Sequence, residues 1–255
     1  MKRNIVIGPP GTGKTTFLKD KVDKLINDGH CKPDEIGYFS FTVKAAEEIR
    51  DRVTNEEWSE AELKKLFPYF CTLHSLAYKR LQLQQSQIMD QSDYDDLSRN
   101  TGRFFVNKMK KGNGMDISMP TAKSEYQDLI NLAYAKFPDD DDRLNKIFRT
   151  VKLSDYGARN TIEQMDLDLK NFKRDRDKLE YVDYFNHFLQ RKNPPPLKYL
   201  FVDEAQDLSA HQWQVIDMIQ EVAKPIETYV AGDDDQAIFR WAGADIEHFI
   251  AMAKN

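Results

Sequence analysis

NIVIGPPGTGKTTF, residues 4–17, decides the fold of this chain. A short apolar run, Asn4–Ile7, stops at glycine and two prolines, and a helical pattern opens at Lys14 and continues to about Asp28. Gly8-Pro9-Pro10-Gly11-Thr12-Gly13-Lys14-Thr15 fits GxxxxGK[ST], placed as that spacing requires, between a strand and a helix. Glycines let the backbone close around phosphate oxygens, and the free N–H groups at a helix start bind anions. Gly8 to Thr16 are therefore the expected nucleotide-binding residues. Lys14 is expected on the β- and γ-phosphates, and the Thr15 hydroxyl on Mg²⁺.

Outward from this loop, strands and helices alternate. Ile36–Phe41 reads as a strand, Val43–Val53 as a helix, Tyr69–Leu73 as a strand and Ser75–Leu83 as a helix. That alternation predicts parallel βαβ units. From Gln84 to Asn193 the β signal fades and amphipathic segments take over, among them Tyr94–Lys108, Lys123–Phe137 and Leu179–Arg191. Gly112–Pro120 reads as a loop, and the acids at 139–142 as a solvated turn leading into a helix. Pro194-Pro195-Pro196 ends the region, because a helix cannot run through three prolines. Strand and helix signals then return at Lys198–Val202, Ala210–Val222, Ile226–Ala231 and Ile246–Ala253. The pattern is a parallel α/β domain, 1–85 and 194–255, interrupted by a helical insertion, 86–193.

Bulk properties narrow the class. Of 255 residues, 40% are apolar and 31% charged, an ordinary globular composition, and the net charge of -5 excludes a uniformly basic nucleic-acid coat but not a local basic groove. Cys31 and Cys71 form no CxxC pair, so neither a disulfide framework nor a zinc site is expected, and a reducing cytoplasm fits. No apolar stretch approaches membrane-spanning length, so no membrane association is expected.

A second acidic site follows from Tyr199-Leu200-Phe201-Val202-Asp203-Glu204-Ala205-Gln206-Asp207, an apolar strand running into acids. Ligands of open parallel sheets bind beyond the C-terminal strand ends, where Lys14 and Asp203 would both lie. Asp203 is the expected Mg²⁺ partner, with Thr15, and Glu204 is the candidate to orient or deprotonate an attacking water.

At this point the chain resembles the N-terminal half of UvrD/Rep-type superfamily 1 DNA helicases. Ser40-Phe41-Thr42-Val43-Lys44-Ala45-Ala46 is similar to motif Ia, and Cys71-Thr72-Leu73-His74-Ser75-Leu76-Ala77 to motif Ib. Val202–Asp207 is similar to motif II, and Gly232 to Ala244 to motif III. Tyr181–Phe185 is similar to a DFxDLL-type segment just before motif II. The resemblance implies a RecA-like P-loop NTPase sheet with helices on both faces, interrupted by a helical 1B-type subdomain. It also implies ATP with Mg²⁺ as cofactors and single-stranded DNA as partner, with movement 3′ to 5′. Phe41, Thr42, Thr72 and His74 become DNA-contact candidates, with Phe239, Arg240 and Trp241 beside them. Aromatic stacking suits a motor, since every base offers a π-face. Gln236 is expected to meet the γ-phosphate and joins Lys14 and Glu204 as a catalytic candidate. Asp233–Asp235 are expected to cap a short helix, with Phe239 and Arg240 one turn beyond Gln236.

The pattern departs from the family in four places. Seven residues precede Gly8, leaving no glutamine segment to read adenine, and Thr16 stands where many members carry arginine. Arg240 precedes Trp241, whereas Ala242 occupies the position of the family's arginine. Motifs IV to VI have no counterpart in the 255 residues. The resemblance therefore implies a second RecA-like motor domain, in a longer chain or a partner, and weak hydrolysis by this chain alone. A bacterial or phage-infected cell is the implied setting. Three other readings are a nucleotide-switched DNA-binding or regulatory module without unwinding, the helicase part of a helicase–nuclease, and a small-molecule kinase. The last needs an acceptor pocket and a lid arginine, and it makes the likeness to motifs Ia and Ib a coincidence.

Overall fold

The computed structural model describes residues 2–53, 59–107, 109–110, 114–115, 124–233 and 243–254. In chain order, β1 (Lys2–Ile7) leads to α1 (Lys14–Asn27), β2 (Ile36–Phe39), α2 (Val43–Val53), α3 (Glu60–Leu66), β3 (Phe70–Cys71) and α4 (Leu73–Leu81). The insertion contributes α5 (Gln91–Thr101), a small antiparallel pair β4 (Met109–Lys110) and β5 (Gly114–Met115), α6 (Glu125–Lys136), α7 (Arg143–Thr150), α8 (Tyr156–Arg176) and α9 (Asp183–Arg191). The chain returns through β6 (Tyr199–Val202), α10 (Ala210–Ala223), β7 (Glu227–Gly232) and α11 (Ile246–Lys254).

Five parallel strands form one sheet in the order β1-β7-β6-β2-β3. The two strands that arrive after the insertion thus slot between β1 and β2. Ile7 pairs in register with Gly232, Val202 with Val230, and Phe39 with Val202. The ends of β1, β7, β6 and β2 therefore line up along one edge.

All four residues of β6 are buried, as a central parallel strand covered on both faces requires. Leu200 and Val202 face a core shared with Trp213, Ile216, Phe188 and Phe249. Tyr199 and Phe201 face the opposite core, with Leu18, Val22, Tyr38 and Tyr229. Side-chain alternation thus splits one strand between two helical layers.

The insertion has a core of its own, built from Met89, Tyr94, Leu97, Phe105, Ile130, Phe148, Ile162 and Phe172. One element departs from that separation. α9 lies within the span expected of the insertion, yet it buries Tyr184, Phe185 and Phe188 in the sheet-side core.

Helix ends follow local chemistry. α5 begins earlier than its hydrophobic pattern suggests because Asp90 forms a capping box with Asp93, and it stops at Gly102, which adopts a left-handed φ of 67°. The longest helix, α8, starts where Asp155 accepts hydrogen bonds from the Gly157 and Ala158 amides (2.8 and 3.2 Å). Lys192 closes α9 in a left-handed conformation just before the three prolines.

Candidate nucleotide-binding site

The loop after β1 is shaped by its glycines. Gly11 and Gly13 sit at φ 76° and 84°, which a side chain would strain. Gly13 is the N-cap of α1 and offers no side-chain cap, so the first-turn amides keep their capacity for an anion. Within the loop, the Thr12 hydroxyl donates to the Pro9 carbonyl at 2.7 Å. The Lys14 ammonium donates to the Gly8 carbonyl at 2.5 Å and the Pro9 carbonyl at 3.1 Å, so it lies folded across the loop. Phosphate oxygens are stronger acceptors than these carbonyls for a cationic donor.

The acidic strand end meets this loop directly. The Thr15 hydroxyl donates to Asp203 Oδ2 at 3.1 Å, joining residues 188 positions apart. Tyr38 donates its hydroxyl to the same oxygen at 2.7 Å, and the Glu204 amide donates to Oδ1 at 3.0 Å. Burial holds the Asp203 carboxyl above the usual carboxylate range, against the opposing pull of these donors. Thr15 and Asp203 are hard oxygen donors, the set that suits a cation held by one or two protein groups plus phosphate oxygens. Among the described residues, no cluster of three or more His, Cys, Asp or Glu side chains competes as an all-protein metal cage.

Glu204 follows in a left-handed backbone conformation, φ 54°, uncommon for a residue with a side chain. Its carboxylate Oε2 accepts from Gln206 Nε2 at 2.6 Å. The other end of that amide, Gln206 Oε1, accepts from the backbone N–H of Asp233 at 3.0 Å. One buried glutamine thus ties the acid at the end of β6 to the first residue after β7. Gly232 permits this approach, since a Cβ there would come within 2.9 Å of Gln206 Oε1 and 2.7 Å of the Phe249 ring. Beside them, burial and the Glu204 charge push the Asp207 carboxyl up to about 7.

Sequence reasoning assigned no role to Tyr38, Gln206 or Asp207. The last two stand inside the acidic stretch, and their position there was the available signal. Tyr38 carried none, because its neighbour across the sheet arrives 165 residues later.

The DNA-contact candidates take varied positions. Thr42 is exposed, and its hydroxyl accepts from the Ala45 amide at 3.2 Å at the start of α2. Phe41 is half-buried against the sheet-side core. Thr72 is buried and caps α4, accepting from the Ser75 amide at 3.2 Å. His74 stacks on Tyr181 with centroids 3.4 Å apart and tilts against Phe185 at 3.9 Å. Burial pushes its imidazole well below the usual histidine range, so it is neutral at pH 7. Thr72 and His74 thus already have intramolecular partners. Gln236, Phe239, Arg240 and Trp241, with Asp234, Asp235 and Ala242, lie outside the described residues. Asp233, the first residue after β7, is buried.

A parallel sheet with a glycine-rich loop at one strand end and an aspartate–glutamate pair at another defines a P-loop NTPase of α/β architecture. Residues 1–255 match the UvrD/REP helicase N-terminal domain, and the chain belongs to that family. It is 27% identical to a probable DNA helicase of Mycoplasma pneumoniae, over 96% of this chain and 46% of that protein. It is 24% identical to the ATP-dependent DNA helicase PcrA of Staphylococcus epidermidis and to that of Staphylococcus aureus, in each case over 98% of this chain and 34% of the relative. The chain therefore spans between a third and a half of the length of these relatives.

Proposed function

We propose that this chain is the ATP-binding half of an ATP-dependent, single-stranded DNA translocase that moves 3′ to 5′. The observation that carries the proposal is the 3.1 Å contact between Thr15 and Asp203, which brings the phosphate loop and the acidic strand end into one site. In this reading residues 8–16 wrap the phosphates, and Lys14 swings from its loop carbonyls to the β- and γ-phosphate oxygens. Thr15 and Asp203 hold Mg²⁺, which when bound offsets charge on the phosphate oxygens. Glu204, its carboxylate held by Gln206, orients the attacking water and accepts its proton. Gln236 meets the γ-phosphate, as the family resemblance implies.

We assign DNA contact first to Thr42, which is exposed, and Phe41, which is half-buried at the same loop. Phe239, Arg240 and Trp241 follow from their motif. Thr72 and His74 act in this reading by shaping the floor of the DNA side rather than by presenting charge. Residues 1–85 and 194–255 form the motor half and 86–193 the inserted subdomain. A second RecA-like domain completes the engine by supplying arginines to the transferring phosphoryl group, each worth ~10³–10⁵ in rate.

The test is nucleotide binding and turnover. The chain is expected to bind an ATP analogue with Mg²⁺ and to lose that binding in Lys14→Ala. Hydrolysis is expected to be slow until a second motor domain is added, and then to rise with single-stranded DNA. Tight Mg²⁺-nucleotide binding that survives Lys14→Ala would overturn the assignment.

A further inference from the structure

We infer that Tyr38 is a positioning residue for the cation-binding carboxylate of Asp203, gripping Oδ2 from the neighbouring strand. The inference rests on the nucleotide-site reading above and adds a residue to it.

The ring of Tyr38 is fully buried in a row of aromatics. Its centroid lies 5.5 Å from Phe70 and 6.1 Å from Phe201, with interplanar angles of 20° and 16°. Phe201 in turn stacks on Tyr229 at 4.8 Å and 6°. Such a row fixes the ring plane. Strand register fixes the rest: Tyr38 pairs with Phe201, two residues short of Asp203 on β6. The hydroxyl therefore reaches the end of β6 from a rigid base, with no loop involved.

A count of hydrogen bonds explains the consequence. Each carboxylate oxygen has two lone pairs. Oδ2 accepts from Tyr38 and Thr15, and Oδ1 from the Glu204 amide. When the Thr15 hydroxyl turns to a cation, Tyr38 and the Glu204 amide remain, one on each oxygen. The carboxylate plane is then held at both ends, with one lone pair per oxygen left to face the cation or its water. A neutral hydroxyl suits this task, because a lysine or arginine there would compete with the cation by charge. Hydrogen-bonding partners of metal ligands commonly contribute 10- to 100-fold to metal affinity.

The experiment is a MgCl₂ titration of fluorescent ATP-analogue binding by the wild-type chain, Tyr38→Phe and Tyr229→Phe. Tyr38→Phe keeps the stacked ring and removes one oxygen. Its half-saturating Mg²⁺ concentration is expected to rise about tenfold, while analogue binding in EDTA stays at the wild-type level. Tyr229→Phe also loses a hydroxyl from the aromatic row, one that donates to Glu227 far from the site. It is expected to titrate like wild type. An unchanged Mg²⁺ midpoint in Tyr38→Phe overturns the inference, as does an equal loss of binding with and without Mg²⁺. A wild-type chain with no Mg²⁺-dependent binding overturns the nucleotide-site reading and this inference with it.

Discussion

Two regions of this molecule bury acidic groups, and they do it by opposite means. In the insertion, Lys173 donates to Glu180 at 3.1 Å and to both oxygens of Asp183 at 3.0 and 2.8 Å. Tyr94 donates to Glu180 at 2.8 Å, and Lys178 pairs with Asp93 at 2.8 Å. Burial would lower the Lys173 pKa, but the charges of Glu180 and Asp183 overcome it and raise the value above the lysine norm. At the end of β6, no lysine or arginine ion-pairs with Asp203, Glu204 or Asp207 among the described residues, and hydroxyls and amides stand in instead. In the first cluster the fold itself sets two lysines against three acids. In the second no basic side chain ion-pairs with the acids among the described residues, and in the proposed site a bound cation would balance them. Partner chemistry, more than burial, separates the two clusters.

The contrast can be broken or sharpened by experiment, beginning with the largest expected effect. In the proposed reaction Glu204 accepts the proton, so Glu204→Gln should lower turnover by ~10²–10⁴ in single-turnover ATPase assays of the completed motor. Nucleotide affinity should hold within a few-fold; a parallel loss of affinity would give Glu204 a binding role. Lys173→Ala strands two acids in the insertion and should cost ~3–5 kcal/mol in denaturant unfolding. Nucleotide affinity of the folded fraction should stay at wild type, and an intact stability would dissolve the distinction between the clusters. Gln206→Ala leaves the Asp233 amide and the Glu204 carboxylate short of a partner. It should slow turnover by ~1–3 kcal/mol of barrier with little change in nucleotide Kd, the reverse of a simple binding defect.

The smallest effect concerns pH. The folded state raises the Asp207 carboxyl from 3.8 to about 7, so that state favours the protonated form. Stability from this group is full below the unfolded value and lost as pH rises through about 7. Asp207→Asn removes that loss. Its melting temperature relative to wild type should climb between pH 5 and pH 8, and a flat difference would place the proton elsewhere.

Much of this arrangement was legible in the chain. The phosphate loop announces itself by spacing alone, and β6 by an apolar run ending in acids. The start of α2 at Val43 and the start of α10 at Ala210 were readable from periodicity, and Ser209 supports the latter with a capping box. α8 was also readable in principle, since its buried apolar residues 158, 162, 165, 169 and 172 alternate steps of four and three. Its polar exterior hid that stripe. α3 left almost no trace, with Leu63 its only buried residue among those described. What sequence order could not carry was adjacency between strands. Tyr38 meeting Asp203, and Gln206 meeting Asp233, depend on which strand lies beside which, and no local pattern encodes that.

The strand order also governs how this protein can come into being. β1 and β2 are made early, yet neither has the other as a neighbour; the two places between them wait for β7 and β6. The edge of β1 pairs with β7, Lys2 opposite Glu227 and Ile7 opposite Gly232, so it is satisfied only by residues more than two hundred positions further along the chain. The insertion's separate core can form while that edge is still open. Closing so long a loop is entropically costly and slow, and unpaired strand edges invite association with other chains. During synthesis the vulnerable part is the open edge of β1 and β2, and the strands that protect it are made only after the whole insertion.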